Sequence, residues 1–263
     1  MNMEFNPAKS FADECKNEIL KQGKDIKLSR TSKKWIAQSS IHKYSYHFSW
    51  MGRPIIQLPT DIMALQEIIW STKPDIIIET GIAHGGSLCF SASMLSLLDL
   101  ADLKKTSTQH VSSKITRKVI GVDIDIRGHN QNALLSHPMA DKIVMIEGSS
   151  IEKPIFKRIK KLIPSNSKVL VILDSNHTEK HVLEELRLYK ELVTVGSYCI
   201  VCDTVVAQMA DGFYKNRPWG INNNPKGAVE KFLKESPNFV VDEEIDNKLL
   251  LSMSPKGYLK RIT

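Results

Sequence analysis

Five apolar runs in this chain end on acidic side chains: residues 76–79, 119–123, 143–147, 169–174 and 198–203. A single acidic tip is ordinary turn chemistry, because Asp readily terminates a strand by bonding to nearby backbone. Five of them along one edge of an open parallel sheet would gather carboxylates where such sheets bind ligands. Position separates their tasks. Asp123, with Asp125 just beyond it, ends the second run and is placed to accept hydrogen bonds from ribose hydroxyls. Gly148 and Ser149 follow the third run and would let backbone and a hydroxyl approach an adenine ring. Asp174 and Asp203 end the fourth and fifth runs, which are expected to be neighbours, and would suit a hard cation such as magnesium. His177, three residues past Asp174, stands at an expected helix start with Asn176 before it and Glu179 after it. There it is either a capping or surface residue or, beside a metal pair, a general base.

The first run leads into Glu79-Thr80-Gly81-Ile82-Ala83-His84-Gly85-Gly86-Ser87, a pattern E-x-G-x-x-x-G-G-S. Its spacing is neither that of a dinucleotide fingerprint nor that of a phosphate-cradling loop. A buried strand breaking into a glycine turn before an apolar helix (residues 88–98) brings backbone close to a ligand. Packing alone also produces such turns.

These groups need a frame, and the pattern of runs supplies one. Helical patterns separate most of the apolar runs; in residues 179–192, Val182, Leu183, Leu186 and Tyr189 fall on one face. Strands alternating with helices imply an α/β domain with a mostly parallel sheet and helices on both faces. A helix is expected from the capping pair Thr60-Asp61, with Ile62, Leu65, Ile68 and Ile69 as its apolar stripe. Residues 228–234 read as a last helix, and 239–241 with 249–252 as two closing strands forming an antiparallel edge. Residues 1–58 are polar and mixed, with aromatics from Trp35 to Trp50, and read as a cap over a catalytic domain spanning 59–263. Residues 102–118 read as a polar surface insertion. Residues 207–226 carry Arg217-Pro218-Trp219-Gly220 and three consecutive asparagines; this loop either lines the site or is a plain connector.

Composition narrows the function classes. The chain has 263 residues, 42% of them hydrophobic, enough for a full core. No run reaches the roughly 18 apolar residues of a membrane span, and the polar start is not a secretory signal, so a cytoplasmic protein is expected. Four cysteines are too few for a disulfide framework, and Cys199-x-x-Cys202 lies within an apolar run without a second pair to complete a zinc site. The formal charge of +7 fits either an acidic partner or simply a soluble basic surface. The absence of a zinc finger, an aromatic RNP pattern or an N-P-P-Y-type tetrapeptide argues against nucleic acid.

Taken together, the motifs resemble the cephalosporin hydroxylase / rhamnosyl O-methyltransferase-like family of class I methyltransferases, from about Trp50 to Arg261. The resemblance rests on Trp50-x-Gly52, Gln57-x-Pro59-x-Asp61, Gln66-Glu67-Ile68-Ile69 and the glycine turn from Glu79 to Ser87. It continues through Val122-Asp123-Ile124-Asp125, Gly148-Ser149-Ser150, Val171-Ile172-Leu173-Asp174-Ser175-x-His177 and Glu184-Leu186-Tyr189. Gly196-Ser197-Tyr198 and Pro255-x-Gly257-Tyr258-Leu259 complete it. It implies a Rossmann-like fold with a mostly parallel seven-stranded sheet, S-adenosylmethionine as methyl donor, a divalent cation such as Mg, and transfer to a hydroxyl. The acceptor would be a sugar, a nucleotide-linked sugar or a natural-product scaffold, with a place in carbohydrate modification and polysaccharide biosynthesis. Carried over residue by residue, cofactor binding falls on Glu79, Gly81, Gly85, Ser87, Asp123, Gly148, Ser149 and Asp174. Metal binding falls on Asp174, Asp203 and Thr204, and catalysis on His177 and Asp174.

One departure matters. Where the family has Glu-Asp-Thr after the fifth strand, this chain has Cys202-Asp203-Thr204, and a thiol suits magnesium poorly. Thr204 and water would complete the shell, or metal binding is weakened or lost. Two rival readings follow: a hydroxylase with iron held by His177, Asp174 and His181, and a catalytically decayed module that still binds S-adenosylmethionine. The acceptor and the oligomeric state stay open, with the N-terminal segment available for a homo-oligomer interface.

Overall fold

The computed structural model of the protein describes residues 7–104 and 117–263. Two helices, α1 (Pro7–Lys24) and α2 (Ile26–Ile41), precede a short hairpin of β1 (Phe48–Trp50) and β2 (Arg53–Ile55). Then follow α3 (Pro59–Thr72), β3 (Ile76–Thr80), α4 (Gly86–Leu103), β4 (Lys118–Asp123), α5 (Gly128–Leu135) and β5 (Ile143–Glu147). The chain continues through α6 (Lys153–Lys161), β6 (Val169–Leu173), α7 (Glu179–Tyr189) and β7 (Tyr198–Val201). It closes with α8 (Pro225–Glu235), β8 (Phe239–Val241), α9 (Glu243–Lys248) and β9 (Tyr258–Arg261).

The five apolar runs form β3 to β7, all parallel, in a seven-stranded sheet of order β5-β4-β3-β6-β7-β9-β8. Every residue of β3, β6 and β7 is buried, as expected of strands covered on both faces. One face packs on α3 and α4 through Ile68, Leu88, Phe90 and Leu95. The other packs on α6, α7 and α8 through Phe156, Leu186, Val229 and Phe232. Chain order runs outward from β3 to β5, then returns to β6 on the opposite side of β3. That reversal opens a crevice beyond the carboxyl ends of β3 and β6.

Strand period decides the cysteines. Cys199 packs in one sheet-face cluster and Cys202 in the other. A spacing of three puts their side chains on opposite faces, and both are buried free thiols. By length and mean hydropathy (1.3) α4 would pass as a membrane span. Here its buried face is the core of the domain, with Leu88, Cys89, Ala92 and Leu95 fully enclosed.

The closing edge differs from expectation. Residues 249–252 form no strand; β9 pairs antiparallel with both β7 and β8. The reason lies in Asp61, which does not cap α3 but is buried within it. Its carboxylate accepts from Ser252 Oγ (2.6 Å), Met253 N (2.8 Å) and Tyr258 Oη (2.7 Å). The Thr60 hydroxyl donates to the Leu251 carbonyl. The segment therefore spends its polar groups on α3 instead of a sheet ladder. Of the expected surface insertion, residues 105–116 lie outside the described residues. Its flanks are structural: Asp102 lies in α4, and buried Arg117 pairs with Asp99 and Asp102.

The N-terminal helices lie against the end of the domain. Asp25 caps α2 by accepting from Leu28 N (2.9 Å). Gln22 donates to the carbonyls of Asn247 and Lys248 at the end of α9. Ile36 packs on Val205 and Met209, just past β7.

Candidate active site

The glycine turn after β3 is held from four directions. Gly81 N donates to the Val122 carbonyl (2.7 Å). Asp123 Oδ2 accepts from Ile82 N (2.7 Å) and Ala83 N (3.3 Å). Arg53, from the hairpin, donates through Nε and Nη2 to the His84 carbonyl, and Nη2 also donates to Asn130 Oδ1. Asn130 in turn donates to the Ala83 carbonyl (2.9 Å). Ala83 is thereby kept at φ +45°, a conformation that non-glycine residues rarely adopt. These bonds preorganise the turn, and they account for His84, whose carbonyl and not its ring is what the fold uses.

Two glycines are required by close approach. At Gly81 (φ +89°) a Cβ would lie 2.1 Å from the Asp174 carbonyl oxygen; at Gly86 it would lie 2.2 Å from that of Pro54. Gly81→Ala is expected to destabilise the fold by about 2–4 kcal/mol, from left-handed strain plus displaced β6 backbone. A urea unfolding midpoint equal to wild type would contradict this contact.

Beneath the turn, buried Glu79 accepts from the Ser87 hydroxyl through Oε1, and Oε2 has no partner. Burial pushes its carboxyl up to about 7, the Ser87 bond offsetting only part of this. An unsatisfied buried acceptor beneath the turn suits a ligand carrying positive charge and donor groups.

Beyond the carboxyl ends of β6 and β7 a cavity of about 300 Å³ opens. Its walls include the turn from Gly81 to Ser87, then Asp174, Ser175, His177, Cys202 and Asp203. Asp174, His177 and Asp203 each place one donor atom within 4.8 Å of the others. His177 Nε2 lies 3.0 Å from Asp203 Oδ2. Burial, then the charges of Asp203, Glu79 and Glu185, push the Asp174 carboxyl well above the carboxylate range. Among the described residues no Lys or Arg pairs with Asp174 or Asp203. Carboxylates crowded without a protein cation, with an imidazole among them, form a donor set that fits a divalent ion.

The structure sorts the remaining candidates. Thr204 is fully buried and donates to the Pro255 carbonyl (2.7 Å), so it does not line the cavity. Cys202 does line it, but burial and the nearby carboxylates raise its thiol well above its usual range and keep it neutral. His177, and not Cys202, is the third residue whose donor atom lies within 4.8 Å of those of Asp174 and Asp203. Asp123, Gly148 and Ser149 flank the cavity at the ends of β4 and β5 without lining it. Asp123 is occupied in orienting the turn. His181 turns toward Ser150 (3.1 Å), Ser175 (3.3 Å) and buried Glu185, away from Asp174 and His177. The iron constellation of the hydroxylase reading is therefore not assembled.

The loop after β7 covers the site. Tyr214, Arg217 and Trp219 line the cavity, and the Trp219 ring meets His177 edge-on at 4.7 Å. The asparagine run explains how it stays there. Asn223 accepts from Glu179 N (2.9 Å), and Asn224 caps α8 by accepting from Gly227 N. Asn176 forms a local turn with Thr178 and does not cap α7; the helix's first amide, Glu179 N, is satisfied by Asn223, 44 residues beyond Glu179. Tyr46 and Gln57, on the N-terminal side, also line the cavity; Gln57 belongs to a motif of the family resemblance, whereas Tyr46 carried no site signal in the sequence.

A protein-family model for rhamnosyl O-methyltransferase/CmcI matches residues 42–262. The rhamnosyl O-methyltransferase of Mycobacterium tuberculosis (strain ATCC 25618 / H37Rv) is 27% identical over 215 residues, covering 81% of this chain and 78% of that protein. That of Mycobacterium leprae (strain TN) is 27% identical over 221 residues, covering 81% and 82%. Among solved structures, a CmcI structure with Mg and SAM is similar in fold, with a TM-score of 0.56 at 18% identity. That match covers 83% of this chain and 78% of that one.

Proposed function

Because the chain belongs to the rhamnosyl O-methyltransferase/CmcI family, we propose that it moves a methyl group from S-adenosylmethionine to a hydroxyl of a sugar-type acceptor. The observation that carries this reading is one cavity walled on one side by the glycine turn and on the other by Asp174, His177 and Asp203. S-adenosylmethionine supplies an electrophilic methyl whose C–S bond breaks as the acceptor oxygen bonds to carbon. Its site would be the turn, with Glu79 and Ser87 beneath it, Asp123 toward the ribose, and Gly148 with Ser149 toward the adenine. Asp174 and Asp203 would hold a divalent cation, which would make a nearby hydroxyl more acidic.

An alcohol is a poor nucleophile near neutral pH, so its proton must be taken as the new bond forms. The position of His177 on the cavity wall, beside Asp203, supports it as the group that takes the proton. With Asp203 accepting from Nε2, Nδ1 is the basic nitrogen, and the Asp203 carboxylate stabilises the imidazolium that results. Trp219 restricts the ring, and the Tyr46 and Tyr214 walls keep water out. All four cysteines are free thiols, which fits a reducing, cytoplasmic setting.

Calorimetric titration with S-adenosylmethionine, with and without magnesium, followed by methyl transfer to rhamnose-containing glycans, tests the reading. Affinity is expected to rise with pH through about 7. Glu79 is held partly protonated near that value, and the sulfonium cation favours its carboxylate. The fold follows the opposite sign. A carboxyl raised in the native state contributes stability below its unfolded pKa and loses it as pH rises through 7. Absence of binding at every pH would end the methyltransferase reading. Binding without transfer to any acceptor would favour the decayed module that Cys202 suggests.

A further inference from the structure

The cavity is acidic at its floor and basic at its mouth. Asp174 and Asp203 line the floor, while Arg217 lines the same cavity from the covering loop. Despite those carboxylates, Arg217 forms no ion pair among the described residues; Asp203 takes His177 as its partner instead. The guanidinium carbon lies 5.1 Å from the centroid of the Trp219 ring, and the same ring contacts His177. That distance is within cation–π range, and with no ion pair taken up among the described residues the guanidinium can offer its fork of N–H groups to a carboxylate or phosphate. The same indole therefore contacts both Arg217, which has no ion pair among the described residues, and the imidazole proposed as base.

We propose that Arg217 is an anion subsite for the acceptor, which carries a phosphate ester or carboxylate about a sugar ring's breadth from the hydroxyl that is methylated. This rests on the O-methyltransferase reading. A guanidinium bonds an anionic group more strongly than a neutral hydroxyl, because the hydrogen bond is then charge-assisted on both sides. Held at Arg217, such an acceptor turns its far hydroxyl toward His177. The position of Arg217, exposed at the loop tip, lets it meet the anion before the sugar enters.

The test is calorimetric titration of the full chain, saturated with S-adenosylhomocysteine, with rhamnose, rhamnose 1-phosphate and glucuronate. The wild type, Arg217→Gln and Arg217→Lys are compared. At least one anionic sugar is expected to bind more tightly than rhamnose. Arg217→Gln should lower that affinity about 10- to 100-fold, the range of a charge-assisted hydrogen bond, without altering rhamnose binding or S-adenosylhomocysteine affinity. Arg217→Lys should recover part of it. Preference for rhamnose 1-phosphate identifies a phosphate ester, and preference for glucuronate a carboxylate. Failure of both anions to bind the wild type, or their equal binding to Arg217→Gln, overturns the subsite. Failure to bind S-adenosylhomocysteine overturns the methyltransferase reading instead, and the Arg217 comparison can still be read without it.

Discussion

His177→Ala is expected to slow methyl transfer by about 10²- to 10⁴-fold, the usual contribution of a positioned general base, while S-adenosylmethionine affinity stays near wild type. The separation follows from geometry. The imidazole contacts Asp203 at 3.0 Å and the Trp219 ring at 4.7 Å, whereas the cofactor turn is held by Asp123, Arg53 and Asn130. Removing the ring therefore leaves the turn intact. His177 also belongs to the donor set with Asp174 and Asp203, so Mn²⁺ affinity is the second readout. Retained Mn²⁺ binding with lost transfer marks a base. Loss of Mn²⁺ binding would make His177 a ligand, and unchanged turnover would remove it from catalysis altogether.

Asp174→Asn should move stability and activity in opposite directions. The native carboxyl is pushed up by burial and by Asp203, Glu79 and Glu185, so its ionised form strains the apo protein. The neutral amide relieves that repulsion. The melting temperature of the apo protein at neutral pH should rise by about 2–4 °C, the shift that about 1 kcal/mol produces near this size. Methyl transfer should fall at least about 10²-fold, because charge stabilisation by a held cation amounts to several kcal/mol. The pH dependence has a definite sign. A carboxyl raised in the native state binds its proton there more tightly than in the unfolded chain, so wild-type stability declines as pH rises past the unfolded value near 4. The advantage of Asp174→Asn should therefore grow with pH and vanish below about pH 4. A variant that melts lower than wild type at pH 7 would show that Asp174 is not under repulsion.

The two sites of greatest consequence were unequally legible. Glu79, Gly81 and Asp123 could be read as neighbours because β3 pairs in parallel with β4, although the bonds from Asp123 to the turn amides were not foreseen. Asp174 and Asp203 could be read as neighbours for the same reason: β6 and β7 pair in parallel, which brings their tips together. Thr204 could not be placed, since one residue's difference around the bend after β7 turns its hydroxyl to Pro255 and away from the cavity. The expected strand at 249–252 failed on a contact with Asp61, nearly two hundred residues earlier. No local pattern encodes that bond. The part His84 plays through its carbonyl, held by Arg53, is likewise not visible in residue type.

By itself the sequence determined the alternation of strands and helices, the acidic strand tips and the glycine turn. Each depends on period, burial on both faces of a strand, or the backbone freedom of a few residues, and these are properties of short segments. The tertiary structure decided which of those groups meet. It set His177 against Asp203 and Trp219, closed the loop over them through Asn223, and left Arg217 on the cavity wall without an ion pair among the described residues. Such pairings depend on where separate segments come to rest in the fold, which residue type and spacing along one segment do not specify.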